Sequence, residues 1–184
     1  MQEGDLVVKT SEAAFCHSPM LVSYVFTQFR NPLMKVVILS GSVYGTAEEV
    51  ARHAESQLKS AGFEAWHAAR ATLQDLQGFA PDAFLAVTST TGMGELPDNL
   101  MPLFSSIRDV LPGEWRGLPG AVIALGDSSY GDTYCGGGEQ LRELFIELGL
   151  REIQPMLRLD ASETVTPETD AEPWLAAFAS ALQG

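Results

Sequence analysis

The sequence has few cysteines, little positive charge and no long hydrophobic run. Its 2 cysteines, Cys16 and Cys135, have neither the spacing of a metal site nor that of a disulfide framework, which favours a reducing, cytoplasmic environment. No apolar run approaches the ~18 residues that a membrane-spanning helix needs. The acidic residues Glu3 and Asp5 are not typical of a signal peptide, which begins with positive charge.

The scarcity of positive charge excludes further function classes. Only 11 Lys and Arg residues stand against 24 Asp and Glu residues, for a formal net charge of -13. This field repels nucleic acids and anionic lipids, and it suits docking on a basic partner surface. A chain of 184 residues, 46% of them hydrophobic, is large enough for one domain with a sizeable core. We therefore expect a protein that docks on basic protein partners, with no nucleic-acid or membrane role. We also expect it to be a monomer.

The first 33 residues differ from the rest of the sequence. They have mixed polarity and no clear period, whereas a regular pattern begins abruptly at Met34. We predict that residues 1–33 are a loosely attached extension and that residues 34–184 form the domain. The alternative is an extra element that packs on the domain through apolar side chains such as Phe15, Leu21 and Tyr24.

From Met34 onwards, short apolar runs alternate with segments of helical periodicity. The runs predict strands at 35–40, 63–67, 83–88, 121–125 and 153–159, the last without interruption. Apolar residues recur at helical spacing around 47–61, 73–76, 100–107, 141–148 and 174–182. Strands separated by helices predict an α/β fold, a doubly wound parallel sheet with helices on both faces. Ligands bind such sheets at the carboxyl ends of the strands, so the loops after the first, third and fourth strands are the candidate site.

The loop after the first strand has the composition of a phosphate site. Ser42, Tyr44 and Thr46 offer hydroxyl groups, Gly41 and Gly45 let the backbone bend, and a helix begins immediately afterwards. The loop has neither the lysine of a Walker motif nor the dinucleotide pattern G-x-G-x-x-G. It therefore suits a single terminal phosphate held by neutral donors, although a plain strand-to-helix turn with a capping threonine would share part of this pattern.

The other two loops are suited to a flat ring. The segment TSTTGMGELPDN at 88–99 is rich in hydroxyl groups and glycine, and GDSSYGDTYCGGG at 126–138 places two tyrosines among small residues. Polar, glycine-rich loops beside a tyrosine can bind a planar group whose edge is read by backbone atoms. Together with a phosphate at the first loop, they predict a mononucleotide with a planar head.

These motifs resemble those of the flavodoxin family. GSVYGTAEEVA is similar to its phosphate loop, STTGMGELPDN to its second loop and LGDSSYGDTYCGGG to its third; FMN domains of diflavin reductases are similar too. The resemblance extends over nearly all of 34–184 and is to the short-chain type, because the fifth strand shows no long insertion. It implies five parallel strands in the order 2-1-3-4-5 and FMN as the cofactor.

The resemblance also implies a set of FMN-binding residues. Those of the first loop would hold the phosphate, those of the second would line the ribityl chain and inner ring face, and those of the third would meet the ribityl hydroxyls, the outer face and the pyrimidine edge. They are Ser42, Val43, Tyr44, Gly45, Thr46 and Ala47; Thr90, Thr91, Gly92 and Met93; and Gly126, Asp127, Tyr130, Tyr134, Cys135 and Gly136. Thr91 stands where many relatives have an aromatic residue, and Met93 stands where an acidic residue is common. Loss of that acidic residue would remove electrostatic repulsion against the reduced flavin.

The resemblance implies an electron carrier rather than an enzyme. It would shuttle electrons between an NAD(P)H-dependent flavoprotein reductase and target oxidoreductases. The sequence shows no general base, nucleophile or metal site near the three loops, so we expect no catalytic and no metal-binding residues. An FMN-dependent NAD(P)H:quinone or flavin reductase is the alternative, and a module that has lost its flavin is a third possibility.

Overall fold

The computed structural model describes residues 33–184. The predicted extension at 1–33 therefore lies outside the described residues apart from Leu33. The strands are β1 (Lys35–Gly41), β2 (Glu64–His67), β3 (Ala83–Ser89), β4 (Pro119–Gly126), β5 (Arg151–Glu152) and β6 (Leu157–Asp160). The helices are α1 (Thr46–Ser60), α2 (Leu73–Phe79), α3 (Met101–Val110), α4 (Gly136–Glu147), α5 (Pro167–Asp170) and α6 (Glu172–Gln183), with short 3-10 helices at Gly113–Trp115 and Ser128–Thr133.

The strands form one parallel sheet in the order β2-β1-β3-β4, and both β5 and β6 pair with the free edge of β4. This confirms the predicted order 2-1-3-4-5, with β5 and β6 together in the fifth position. The pairs Gly41–Thr88 and Ser89–Leu125 show that β1, β3 and β4 end at the same edge. The three candidate loops therefore leave the sheet side by side.

The prediction of an uninterrupted strand at 153–159 is wrong. Gly120 pairs with Glu152 and Ile123 pairs with Leu157, so residues 153–156 lie opposite only residues 121–122 and bulge away from the sheet. Pro155 explains the break, because proline has no N–H to donate to the ladder. Its carbonyl accepts a hydrogen bond from the indole of Trp174 at 2.8 Å instead. The bulge is short, so the prediction of no long insertion in this strand is unaffected.

Both faces of the sheet are covered, as expected for parallel strands that are hydrophobic on both sides. On one face, Val36 and Ile38 of β1 pack in a core with α1 and α6; on the other, Val37 and Leu39 pack in a core with α2, α3 and α4. Phe84 contacts Trp115 in this second core, with ring centroids 4.9 Å apart. None of the helices between residues 33 and 184 is long and apolar enough to cross a membrane.

Candidate functional site

A cavity of about 740 Å³ opens at the carboxyl ends of β1, β3 and β4. Its volume is within the range of ligand sites for molecules of nucleotide size. All three predicted loops contribute to its wall. The predicted residues that line it are Val43, Tyr44, Thr46, Thr90, Thr91, Gly92, Gly126, Asp127, Tyr130, Tyr134 and Cys135.

The remaining predicted residues lie beside this wall. Ala47 is completely buried and packs in the core under α1, whereas the side chain of Met93 is 81% exposed. The Ser42 hydroxyl accepts a hydrogen bond from the Gly45 amide at 2.9 Å and so shapes the first loop from within. Gly136 is packed against the second loop, where a Cβ would lie 2.8 Å from the carbonyl oxygen of Gly94.

A fourth segment, which the sequence reasoning missed, completes the cavity. It follows β6 and contributes Ala161, Thr164, Val165 and Pro167. The rule that ligands bind at the carboxyl ends of strands also applies to this last strand, so its loop could have been included. Other lining residues absent from the prediction are Ser89, Leu125, Thr133 and Leu159.

Asp160 connects this fourth segment to the third loop. Its carboxylate accepts hydrogen bonds from the Ser128 amide at 3.2 Å and from the Ser162 amide at 3.0 Å. The Ala161 amide in turn donates to the carbonyl of Gly126 at 2.8 Å. Hydrogen bonds from Ser128 and Ser162 lower the pKa of Asp160 to about 2, so this junction carries a negative charge at neutral pH.

The first loop presents neutral donors at the start of a helix. Gly45 precedes α1 with a φ of 95°, a left-handed conformation that glycine adopts without strain. The N-cap residue is Gly45 itself, and within the described residues no side-chain hydrogen bond caps this end of the helix. The first amides of α1 are thus free of intrahelical partners and carry the positive end of the helix dipole. This end, together with the Thr46 hydroxyl in the cavity wall, suits an anion such as a phosphate.

The second loop is a tight turn that is closed by main-chain hydrogen bonds. The amide of Thr91 donates to the carbonyl of Glu95 at 2.9 Å, and the amide of Glu95 donates back at 2.8 Å. The turn is also attached to α4, because the Gln140 side chain donates to the carbonyl of Gly94 at 2.7 Å. Gly92 lines the cavity with a φ of 50°. Gly94 also lies against Thr133 and Gly136, so the second and third loops are in contact with each other.

The third loop supplies two tyrosines and a buried thiol. Tyr130 lines the cavity with 69% of its surface exposed, as an aromatic ring that could cover a flat ligand. Burial raises the pKa of Tyr134 to about 12 and that of Cys135 to about 11, so both side chains are neutral at physiological pH. The Cys135 thiol contacts the carbonyl of Ala124 at 3.7 Å. It is therefore a packing group rather than a reactive thiolate.

The charge and shape of the cavity fit FMN. Among the described residues that line it, Asp127 is the charged side chain, and its carboxylate accepts a hydrogen bond from the Ser129 amide at 2.9 Å. The donors available to a phosphate are thus hydroxyls and helix amides, and Tyr44, Tyr130 and Tyr134 contribute aromatic rings to the lining. In the part of the chain that the structure describes, no cluster of His, Cys, Asp and Glu is suited to a metal ion.

Comparison with known proteins agrees with this geometry. The sequence pattern of the flavodoxin family matches residues 38–174. The chain belongs to the flavodoxin family. It is 76% identical over 151 residues to an uncharacterised protein of Pseudomonas aeruginosa, covering 82% of this chain and 100% of that one. It is 39% identical over 150 residues to flavodoxin YqcA of Escherichia coli, covering 82% of this chain and 99% of that one.

A solved structure extends the likeness to three dimensions. A cysteine-to-serine mutant of a flavodoxin from Pseudomonas aeruginosa superposes with a TM-score of 0.79 at 75% identity, covering 82% of this chain and 100% of that one. Flavodoxins bind FMN and carry electrons. The predicted family, fold and cofactor are thereby confirmed, and the chain is an electron-transfer flavoprotein.

Proposed function

We propose that this flavodoxin carries electrons from an NAD(P)H-dependent flavoprotein reductase to target oxidoreductases, with FMN held in the cavity at the carboxyl ends of β1, β3 and β4. The observation that supports it is the convergence of the three motif loops on one cavity with neutral donors and tyrosines. FMN, when bound, supplies the redox chemistry. The residues of this chain would bind it, orient it and exclude water from it.

The first loop would hold the phosphate of FMN. Val43, Tyr44 and Thr46 line the cavity at the start of α1, and Ser42 orders the loop through its hydrogen bond with Gly45. The backbone amides at Gly45 and Ala47 belong to the same turn. Without a lysine or arginine, the site would hold the phosphate through hydroxyls, amides and the helix dipole.

The second and third loops would hold the ribityl chain and the ring. Thr90, Thr91 and Gly92 of the second loop line the cavity together with Gly126 and Asp127 of the third loop, and Met93 is the exposed neighbour of Gly92. Tyr130 would cover the outer ring face. Tyr134, Cys135 and Gly136 would border the pyrimidine edge, where the partly buried Tyr134 and the buried Cys135 side chains, both neutral, would limit access of water.

Redox partners would dock over the mouth of this cavity. Exposed apolar side chains occur on all of its loops: Val43, Tyr44, Met93, Tyr130 and Val165. Such side chains are common in the centre of protein interfaces, and the net charge of -13 would attract a basic partner surface around them. We propose transient one-to-one encounters of the monomer with basic-surfaced partners in the cytoplasm.

The test begins with the absorption spectrum of the purified, full-length protein. The expected result is a flavin spectrum that corresponds to one FMN per chain. NAD(P)H oxidation is then followed with and without a separate flavoprotein reductase, and we expect turnover only when the reductase is present. Rapid oxidation by this chain alone would support an NAD(P)H:quinone or flavin reductase, and failure to bind added FMN would contradict the proposal.

A further inference from the structure

The second loop contains a carboxylate close to the position where Met93 lacks one. The side chain of Glu95 reaches back along the turn and accepts a hydrogen bond from the Met93 amide at 2.6 Å. Its carboxylate also lies against Gly92, since a Cβ added to Gly92 would collide with a Glu95 oxygen. The turn therefore contains a carboxylate two residues after Met93, bonded to the Met93 amide.

The turn needs a restraint of this kind. Main-chain hydrogen bonds join Thr91 to Glu95 and to Gly94, but among the described residues none is made by the amides of Gly92 and Met93. Gly92 and Gly94 have φ values of 50° and 104°. Glycine loses more conformational freedom on ordering than any other residue, so the main-chain bonds leave the middle of the turn weakly specified.

The two halves of the turn are held by different side chains. Gln140 of α4 holds the half that contains Gly94, through the hydrogen bond to its carbonyl. In the other half, Gly92 lines the cavity, and the Glu95 carboxylate is bonded to this half through the Met93 amide. A hydrogen bond to a charged acceptor is stronger than one between neutral groups, even where it is partly exposed.

We propose that Glu95 is a positioning residue that holds the Gly92–Met93 half of the turn in the shape that lines the flavin cavity. The effect on FMN depends on the proposed function, whereas the effect on the turn does not. Because the turn borders the part of the cavity that we assign to the ring rather than to the phosphate, loss of this restraint should weaken the binding of riboflavin and of FMN alike.

The experiment compares Glu95→Ala with Glu95→Gln, and uses Asp98→Ala as the matched control. Asp98 is an exposed carboxylate of the same loop, and among the described residues its side chain makes no hydrogen bond. The first readout is the exchange rate of the Met93 amide, measured by NMR on the flavin-free, full-length protein. The second is the dissociation constant of FMN and of riboflavin, measured by fluorescence titration.

We expect Glu95→Ala to speed hydrogen exchange of the Met93 amide by about ten-fold and to raise the dissociation constants of FMN and riboflavin by about three- to ten-fold. Glu95→Gln keeps an acceptor oxygen, so its effects should be smaller, and Asp98→Ala should change neither readout. Unchanged Met93 exchange in Glu95→Ala, or an equal change in Asp98→Ala, would overturn the inference. Failure of the wild-type protein to bind FMN would instead contradict the proposed function, while the exchange data would still decide the role of Glu95 in the turn.

Discussion

The side-chain oxygen of Asn99 accepts a hydrogen bond from the backbone amide of Ser42 at 3.1 Å. The segment that precedes α3 is thus tied directly to the first loop. The amide nitrogen of Asn99 donates to Glu48, in the first turn of α1, at 3.4 Å. One side chain therefore connects the second loop, the first loop and the helix whose N-terminus we assign to the phosphate.

We expect Asn99→Ala to weaken the binding of FMN by about three- to ten-fold and that of riboflavin by less. The reason is that a loop no longer held in place must be ordered when it binds the phosphate. Parallel fluorescence titrations with FMN and riboflavin measure the ratio. Asp98→Ala, at the neighbouring exposed position, is the control. Equal losses for the two ligands would show that Asn99 supports the domain generally rather than the phosphate loop.

Thr46 contributes a hydroxyl to the cavity wall at the first position of α1. Thr46→Ala should raise the dissociation constant of FMN by about ten- to a hundred-fold, since a hydrogen bond to a charged group contributes roughly 1.5–3 kcal/mol. Alanine is an excellent helix former, so the melting temperature of the flavin-free protein should change little. If wild-type protein binds riboflavin as tightly as FMN, the phosphate assignment is wrong.

The net charge of -13 predicts that association with a basic reductase is electrostatically steered. Electron transfer from such a reductase should slow as salt is raised, because charges are screened over about 8–10 Å at physiological ionic strength. Stopped-flow kinetics over a salt series measures the effect, with an uncharged small-molecule reductant as the control. A rate that does not respond to salt would leave the acidic surface without a role in docking.

Burial raises the pKa of Cys135 from 9.0 to about 11. Because the folded state holds this proton more tightly than the unfolded state, the contribution of Cys135 to stability is constant below pH 9 and is lost as pH rises towards 11. At pH 8, alkylation by iodoacetamide should be at least about a hundred-fold slower in the native protein than in urea. The measurement uses a Cys16→Ser background, and rapid native labelling would contradict the assignment of Cys135 as a packing group.

We expect deletion of residues 1–33 to leave FMN binding and the melting temperature nearly unchanged. Within residues 33–184, which the structure describes, the residues after Leu33 form two hydrophobic cores and line the cavity. In addition, the alignment with the Pseudomonas aeruginosa relative covers 82% of this chain and 100% of that protein. Thermal unfolding and FMN titration of the shortened chain test this, and an insoluble or flavin-free product would show that the extension packs on the domain.

Local patterns were sufficient to predict the sheet and the position of the site. Runs such as Val36–Ile38 are too apolar for a strand with one solvated face, and the intervening 3.6-residue periods exclude a β-sandwich. The break near Pro155 could not be placed, although the residue type was visible. An edge strand can tolerate proline, and only the pairing of Gly120 with Glu152 and of Ile123 with Leu157 shows that the chain bulges there.

The sequence by itself determined the parallel α/β architecture and the three motif loops, because both follow from the order and spacing of residues along the chain. Only the tertiary structure decided which side chains contact one another when they are far apart in the sequence. The Asn99–Ser42 and Asp160–Ser128 hydrogen bonds join residues far apart in sequence. The fourth segment, which contains Val165, becomes part of the cavity wall only when β6 pairs with β4. Even the short-range bond from Met93 to Glu95 depends on two glycines with positive φ, a conformation that local sequence permits but that the packed turn selects.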